Sequence, residues 1–124
     1  MTALTDHAKN LLARALCGRR PALPSGVWLG LGTGGSDASG LTGEPVGAGY
    51  ARQPVSFTGT GMQRNAAAIR FTFSAAVGTL THIGLFDAPS GGNPLTWSTL
   101  GTPATLNAPG TLTIPAESLT LLPD

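Results

Sequence analysis

Apolar residues in the segment ALTDHAKNLLARALC (3–17) recur at helical spacing, with Leu4, Ala8, Leu11, Leu12 and Ala15 on one face. The spacing predicts a helix. Thr5 or Thr2 can cap its start, Asp6 suits the positive end, and Gly18, Arg19, Arg20 and Pro21 stop it. Its apolar stripe is read as covering its own domain rather than a neighbouring protein. Beyond the linker RRPALPSG the period changes from helical to strand-like. VWLGLGT (27–33) predicts a short apolar strand, and GGSDASGLTGEPVGAG (34–49) a long loop. Residues 50–57 alternate, with Ala51, Val55 and Phe57 on one side and Tyr50, Arg52 and Ser56 on the other. Pro54 cannot donate to a ladder, so this strand belongs at an edge or a bulge.

The alternation continues in AAAIRFTF (66–73), where Ile69, Phe71 and Phe73 point inward and Arg70 and Thr72 outward. GTLTHIGLFDA (78–88) has apolar residues on both faces (Leu80, Ile83, Leu85, Phe86), which predicts a central strand covered on both sides. Gly84 within it allows another segment to approach closely. The turn 89–94 leads to LTWSTL (95–100), and two last strands surround the Asn107–Gly110 turn, broken at Pro115. Short strands separated by regular turn signals predict a mainly β fold. The expected architecture is a β-sandwich or jelly-roll of about six to eight antiparallel strands with one N-terminal helix. It forms one domain over 1–124, with the helix in 1–20 and the sandwich in 25–124.

Composition supports a packed chain. Of 124 residues, 41% are hydrophobic and only 10% charged, the net charge is +1, and there are 18 Gly and 10 Pro. Disorder would need low hydrophobicity and high net charge. The scarcity of charge suggests that neighbouring subunits cover part of the surface. Seven basic residues nearly balance six acidic ones, and the Arg14, Arg19, Arg20 cluster reads as a solvated helix end, so nucleic acid is not an expected partner. The single cysteine, Cys17, excludes an internal disulfide. No apolar run reaches membrane-spanning length and no signal-peptide pattern opens the chain, so no membrane partner is expected.

Candidate chemistry is sparse. GLGTGG (30–35) resembles a dinucleotide fingerprint, but a Ser/Asp/Gly loop follows where the fingerprint needs a helix. In GAGYAR (47–52) a strand follows, so the glycines read as a corner that permits positive φ or close approach of another chain. His7 lies on the helix, and His82 reads as a structural histidine among apolar neighbours. No G-x-S-x-G elbow or zinc-ligand spacing exists. The acids Asp6, Asp37, Glu44, Asp87, Glu117 and Asp124 lie mostly in loops or ends. Asp37 and Glu44 share a loop and could hold a hard cation, although no regular spacing supports it. Trp28, Trp97 and Tyr50 could stack on sugars, but aromatics in a small β domain are usually core. These residues predict neither an enzyme nor a cofactor.

GAGYARQPVSF, THIGLFDAPSGGNPL and NAPGTLTIPAESLTL, taken in order with the helix and the V-W-L-G-L strand, resemble small tail-fibre or minor tail proteins of tailed phages. A similar protein is expected as a head-spike base in phage-like gene transfer agents. The linker RRPALPSG and the Ala/Gly-rich middle depart from the common pattern, which leaves head or tail attachment open. The resemblance implies a non-enzymatic virion protein, assembled in the bacterial cytoplasm as a symmetric homo-oligomer. It would serve as base or adaptor of a fibre or spike in particle assembly and host attachment. Capsid or tail proteins and a fibre or spike protein would be its partners. The expected contact surfaces are loop 34–49 and turn 89–94, with Asp37, Glu44, Tyr50, Arg52 and Asn93 as interface residues. Arg52 reads equally as a solvated arginine and as a candidate for a subunit or intra-loop salt bridge, with Glu44 as one partner. The alternative is a carbohydrate-binding host-attachment module, which needs an exposed aromatic pair.

Overall fold

The computed structural model describes residues 3–19, 26–60, 62–116 and 120–121. Thr2, residues 20–25 of the linker, Glu117 and Asp124 lie outside the described residues. The described chain is mainly β with one helix. In order it forms β1 (Ala3–Leu4), α1 (Asp6–Leu16), β2 (Val27–Gly32), β3 (Gly34–Ser36), β4 (Gly40–Thr42), β5 (Gln53–Val55) and β6 (Phe57–Thr58). Then follow β7 (Gln63–Asn65), β8 (Ile69–Phe73), β9 (Gly78–Phe86), β10 (Pro94–Leu106), β11 (Gly110–Ile114) and β12 (Thr120–Leu121).

The main sheet has five strands in the order β1-β10-β9-β2-β5, all pairs antiparallel. Smaller sheets are β11-β8, β12-β7-β6 and the hairpin β3-β4. Between the main sheet and β8 lies the core of Leu29, Leu31, Ile69, Phe71, Phe73, Leu80, Ile83 and Leu85. This is a sandwich-like packing of antiparallel sheets, as the alternating sequence predicts. In β8 the alternation holds residue by residue: Ile69, Phe71 and Phe73 are buried, Arg70 and Thr72 exposed. The strand β9 is central, flanked by β10 and β2, and β5 with Pro54 is at the edge.

Four expectations change. The helix is shorter than 3–17, because Thr5 is extended (φ −75, ψ 165) and its side chain takes the Ala8 N–H as an N-cap. Residues before a cap are free to pair elsewhere, so Ala3 and Leu4 join Trp97 and Thr96 as β1. Leu4 is therefore buried as a strand residue, while Leu12 and Leu16 of the helix remain exposed. Loop 34–49 is not structureless: its first half folds as the β3-β4 hairpin. Residues 50–52 are not strand, so period-2 alternation does not govern them; Ala51 is exposed while Tyr50 and Arg52 are partly buried. Finally, the strand at 95–100 does not stop there. It runs on through Pro103 as β10, with a register shift between Thr99 and Ala104 that absorbs the proline. Leu80 and Ile83 of β9 both reach the core although they are three residues apart, so β9 breaks its own alternation beside this bulge.

The second face of the main sheet is nearly bare of side chains at its centre, where Gly30 and Gly84 pair. Leu41 of β4 fills that hollow. A Cβ at Gly84 would lie 2.8 Å from the Leu41 Cβ and 2.8 Å from the Thr96 carbonyl. The sequence expectation that Gly84 admits a close neighbour is met by this hairpin.

Candidate functional site

Most of the expected interface residues meet at the corner after β4. Gly47, Ala48 and Gly49 have φ of 79, 55 and 72°, three left-handed residues in a row. Such φ is free for glycine and costs an alanine about 1–2 kcal/mol, so the surroundings must hold Ala48 there. They do: the Ala48 carbonyl accepts the Ser74 N–H at 2.7 Å, tying the corner to the end of β8. The reversal delivers Tyr50 into the gap between sheets. Its ring packs nearly parallel to Phe71 and Phe73, with centroids 6.3 and 6.2 Å away.

The Tyr50 hydroxyl donates to Glu44 Oε2 at 2.6 Å. Burial, with help from this bond, raises its pKa well above the ordinary tyrosine value. Glu44 also receives both ends of Arg52, Nε at 3.0 Å and Nη2 at 2.7 Å. Burial alone would raise the Glu44 carboxyl; the hydrogen bonds from Arg52 and Tyr50, with the arginine charge, outweigh it and hold the pKa below the usual value. The two side chains are 10% and 23% exposed for Arg52 and Glu44, so the pair is shielded rather than solvated. Arg52 donates its remaining Nη1 to the carbonyls of Ala88 at 3.0 Å and Gly91 at 2.8 Å. Its guanidinium lies 3.5 Å from the centre of the Phe86 ring, a cation–π contact.

The turn that Arg52 grips is built by Asp87 and Asn93. Asp87 accepts the Asn93 N–H at 2.7 Å and its Nδ2 at 3.1 Å, and its own N–H reaches the Asn93 carbonyl. Burial pushes the Asp87 carboxyl up, but these bonds and the His7 charge bring it below its ordinary value. Glu44, Tyr50, Arg52 and Asn93 thus belong to one network, and of the two readings of Arg52 the structure has the salt bridge, within the chain and with Glu44. The network draws loop 43–49 against turn 87–93 and leaves a groove of about 460 Å³ between Pro45–Val46 and Pro89–Gly91. Val46 at its rim is 99% exposed.

Asp37 is elsewhere. It accepts the Trp97 indole N–H at 2.8 Å and pairs with Lys9 at 3.3 Å, while its carbonyl takes the Asp6 N–H. The Trp97 bond and then Lys9 hold its carboxyl below the ordinary value. Asp37 fastens α1 and the β3-β4 turn to β10, helped by Thr5, whose hydroxyl donates to the Pro94 carbonyl at 2.6 Å. The shared cation site for Asp37 and Glu44 is therefore not formed, since their oxygens are taken by donors in separate networks. Among the described residues no three His, Cys, Asp or Glu converge.

Other candidates also find ordinary structural places. The glycine run 30–35 lies in β2 and β3, with no helix following. The His82 Nδ1 lies 2.8 Å from the Thr81 hydroxyl, and Asp87 is bound to Asn93 instead of to a histidine. Trp28 and Trp97 are both partly buried on one face of the sheet. Leu41 over Gly30 and Gly84, and Arg52 over Phe86, occupy the positions between them, so the rings do not form one platform. Cys17 is exposed at the end of α1. No described helix is long and apolar enough to cross a membrane. Nothing in the sequence marks Phe86, Leu41 or the Ala88 and Gly91 carbonyls as parts of these networks. Backbone acceptors carry no residue-type signal at all.

Comparison with curated proteins gave no match. A protein-family model described as podophage GP4 fiber I protein gp80 matches residues 3–122, a span that takes in α1, the main sheet and the Glu44–Arg52 corner. That span agrees with the resemblance to tail-fibre proteins carried by the G-x-G-Y-A-R and T-H-I-G-L-F-D stretches, and the chain belongs to this family of phage fibre proteins.

Proposed function

We propose that the protein is the base or adaptor of a fibre or spike on a phage-like particle, with no catalytic role. It assembles in the bacterial cytoplasm as a symmetric homo-oligomer, joins capsid or tail proteins to the fibre or spike, and contributes to host attachment. The family match across residues 3–122 carries the reading. The use of charge supports it: Glu44, Arg52, Asp37 and Asp87 are bonded to groups of their own chain, which makes rigid loops rather than a reactive cleft. Rigid loops 43–49 and 87–93 suit a surface that neighbours grip. A head-spike base of a gene transfer agent and a tail-fibre base are the two forms this role takes.

Electron microscopy of particles from cells lacking the protein tests the proposal, with labelled protein located on complemented particles. Loss of a tail fibre or of a head spike supports the role and selects its form. Unchanged particles together with absence of the protein from purified particles would refute it.

A further inference from the structure

We propose that the free edge of β11 is the self-assembly surface, pairing antiparallel with β11 of a second copy about a twofold axis. The inference rests on the homo-oligomer reading above and names the surface it uses. Among the described residues, β11 pairs only with β8, from Gly110↔Phe73 to Ile114↔Ile69 without a register break. Among the described residues its other edge, with its alternate N–H and C=O groups, has no strand partner. Soluble proteins blunt such edges with charge, proline, bulges or short length. The neighbouring edges do so here: β1 has two residues, β5 has three with Pro54, and the open half of β10 carries the bulge and Pro103. The strand β11, GTLTI, has five residues and none of these devices.

The strand's own pattern suits a second copy of itself. A second β11 laid antiparallel with Leu112 opposite its copy places Thr111 opposite the partner's Thr113. Thr111 and Thr113 are exposed, and facing threonines are a favourable cross-strand pair, with no like charges to oppose. On the other face Leu112 and Ile114 already pack on the core as partly buried residues, and the copy would extend that apolar layer. Pairing also converts a two-stranded ribbon, marginal by itself, into four strands in the order β8-β11-β11-β8. The contact is isologous, so it closes on itself.

Charge exchange tests it, measured by light scattering after size-exclusion chromatography. Wild type should run at twice the chain mass of 12.5 kDa, or at an even multiple of it. Thr111→Lys/Thr113→Lys and Thr111→Glu/Thr113→Glu should each dissociate at least about tenfold more readily, because like charges then face each other, and their mixture should reassociate. Both sites are exposed, so circular dichroism should stay unchanged. In a Cys17→Ser background, Thr111→Cys and Thr113→Cys chains should form disulfide dimers when mixed and not separately. An oligomeric wild type whose charged variants keep its mass, or cysteine chains that do not link when mixed, would overturn β11 pairing while leaving the homo-oligomer intact. A monomeric wild type would overturn both. The role in the particle is judged separately by microscopy.

Discussion

The hydroxyl of Tyr50 accepts the backbone N–H of Leu31 at 3.0 Å. That amide lies on β2 just beyond Leu29, where pairing with β5 ends, so the phenol stands in for a missing strand partner. One side chain thereby joins the sheet edge, the aromatic core and the Glu44–Arg52 pair.

Removing that hydroxyl tests the joint. Tyr50→Phe keeps the ring stacking but leaves the Leu31 N–H and one Glu44 lone pair unmet, a loss of about 1–3 kcal/mol. Urea unfolding should show a lower midpoint with an unchanged slope. Stability equal to wild type would mean that water replaces the phenol without cost.

Arg52 depends on its planar fork. Lysine keeps the charge but cannot hold Glu44 with two parallel bonds and reach the Ala88 and Gly91 carbonyls as well. Arg52→Lys should cost roughly 2 kcal/mol. Hydrogen exchange should rise at the amides of turn 87–93, well before the core amides of β9 respond.

Acid should loosen the same corner. The Glu44 pKa in the folded chain lies below its ordinary value of 4.5. Its stabilisation is therefore complete above that ordinary value and is lost as pH falls through the lower folded one. Asp87, also lowered, acts in the same direction. Stability should be flat near neutrality and fall in acid, and Glu44→Gln should be weaker at pH 7 with a shallower acid limb. An acid limb identical to wild type would show that Glu44 is not among the groups responsible.

Gly84 tests the hairpin packing. A methyl group there meets both the Leu41 side chain and the Thr96 carbonyl, so Gly84→Ala should destabilise by about 1–3 kcal/mol. Adding Leu41→Ala should not restore stability, because the carbonyl contact is backbone and cannot retreat. Full restoration in thermal melts would contradict the packing described for that face.

Much of the fold was legible because it depends on local pattern. The Ile69, Phe71, Phe73 alternation, the central strand 78–86, buried on both faces from Ile83 to Phe86, and the edge position of Pro54 follow from side-chain period and a missing donor. Thr5 as a cap was legible too, although the residues ahead of it were not: whether Ala3 and Leu4 extend a helix or join a sheet depends on Thr96 and Trp97, distant in sequence. The site was half legible. Acid, arginine and glycine corner could be named, but Asp37 and Glu44, which share one stretch of sequence, sit at opposite ends of β4, Asp37 in the hairpin turn and Glu44 beyond the strand.

The sequence by itself determined strands, turns, the helix and a nearly neutral surface, because each follows from residue type and spacing within a few positions. Only the tertiary structure decided which carboxylate meets which donor, that Leu41 fills the hollow over Gly30 and Gly84, and that Arg52 closes on Glu44 and on two turn carbonyls. Apart from the Arg52–Glu44 pair, already a candidate in the sequence, most of those contacts join residues far apart along the chain, and folding selects them by how completely buried polar groups are satisfied, a property of the whole assembly of strands.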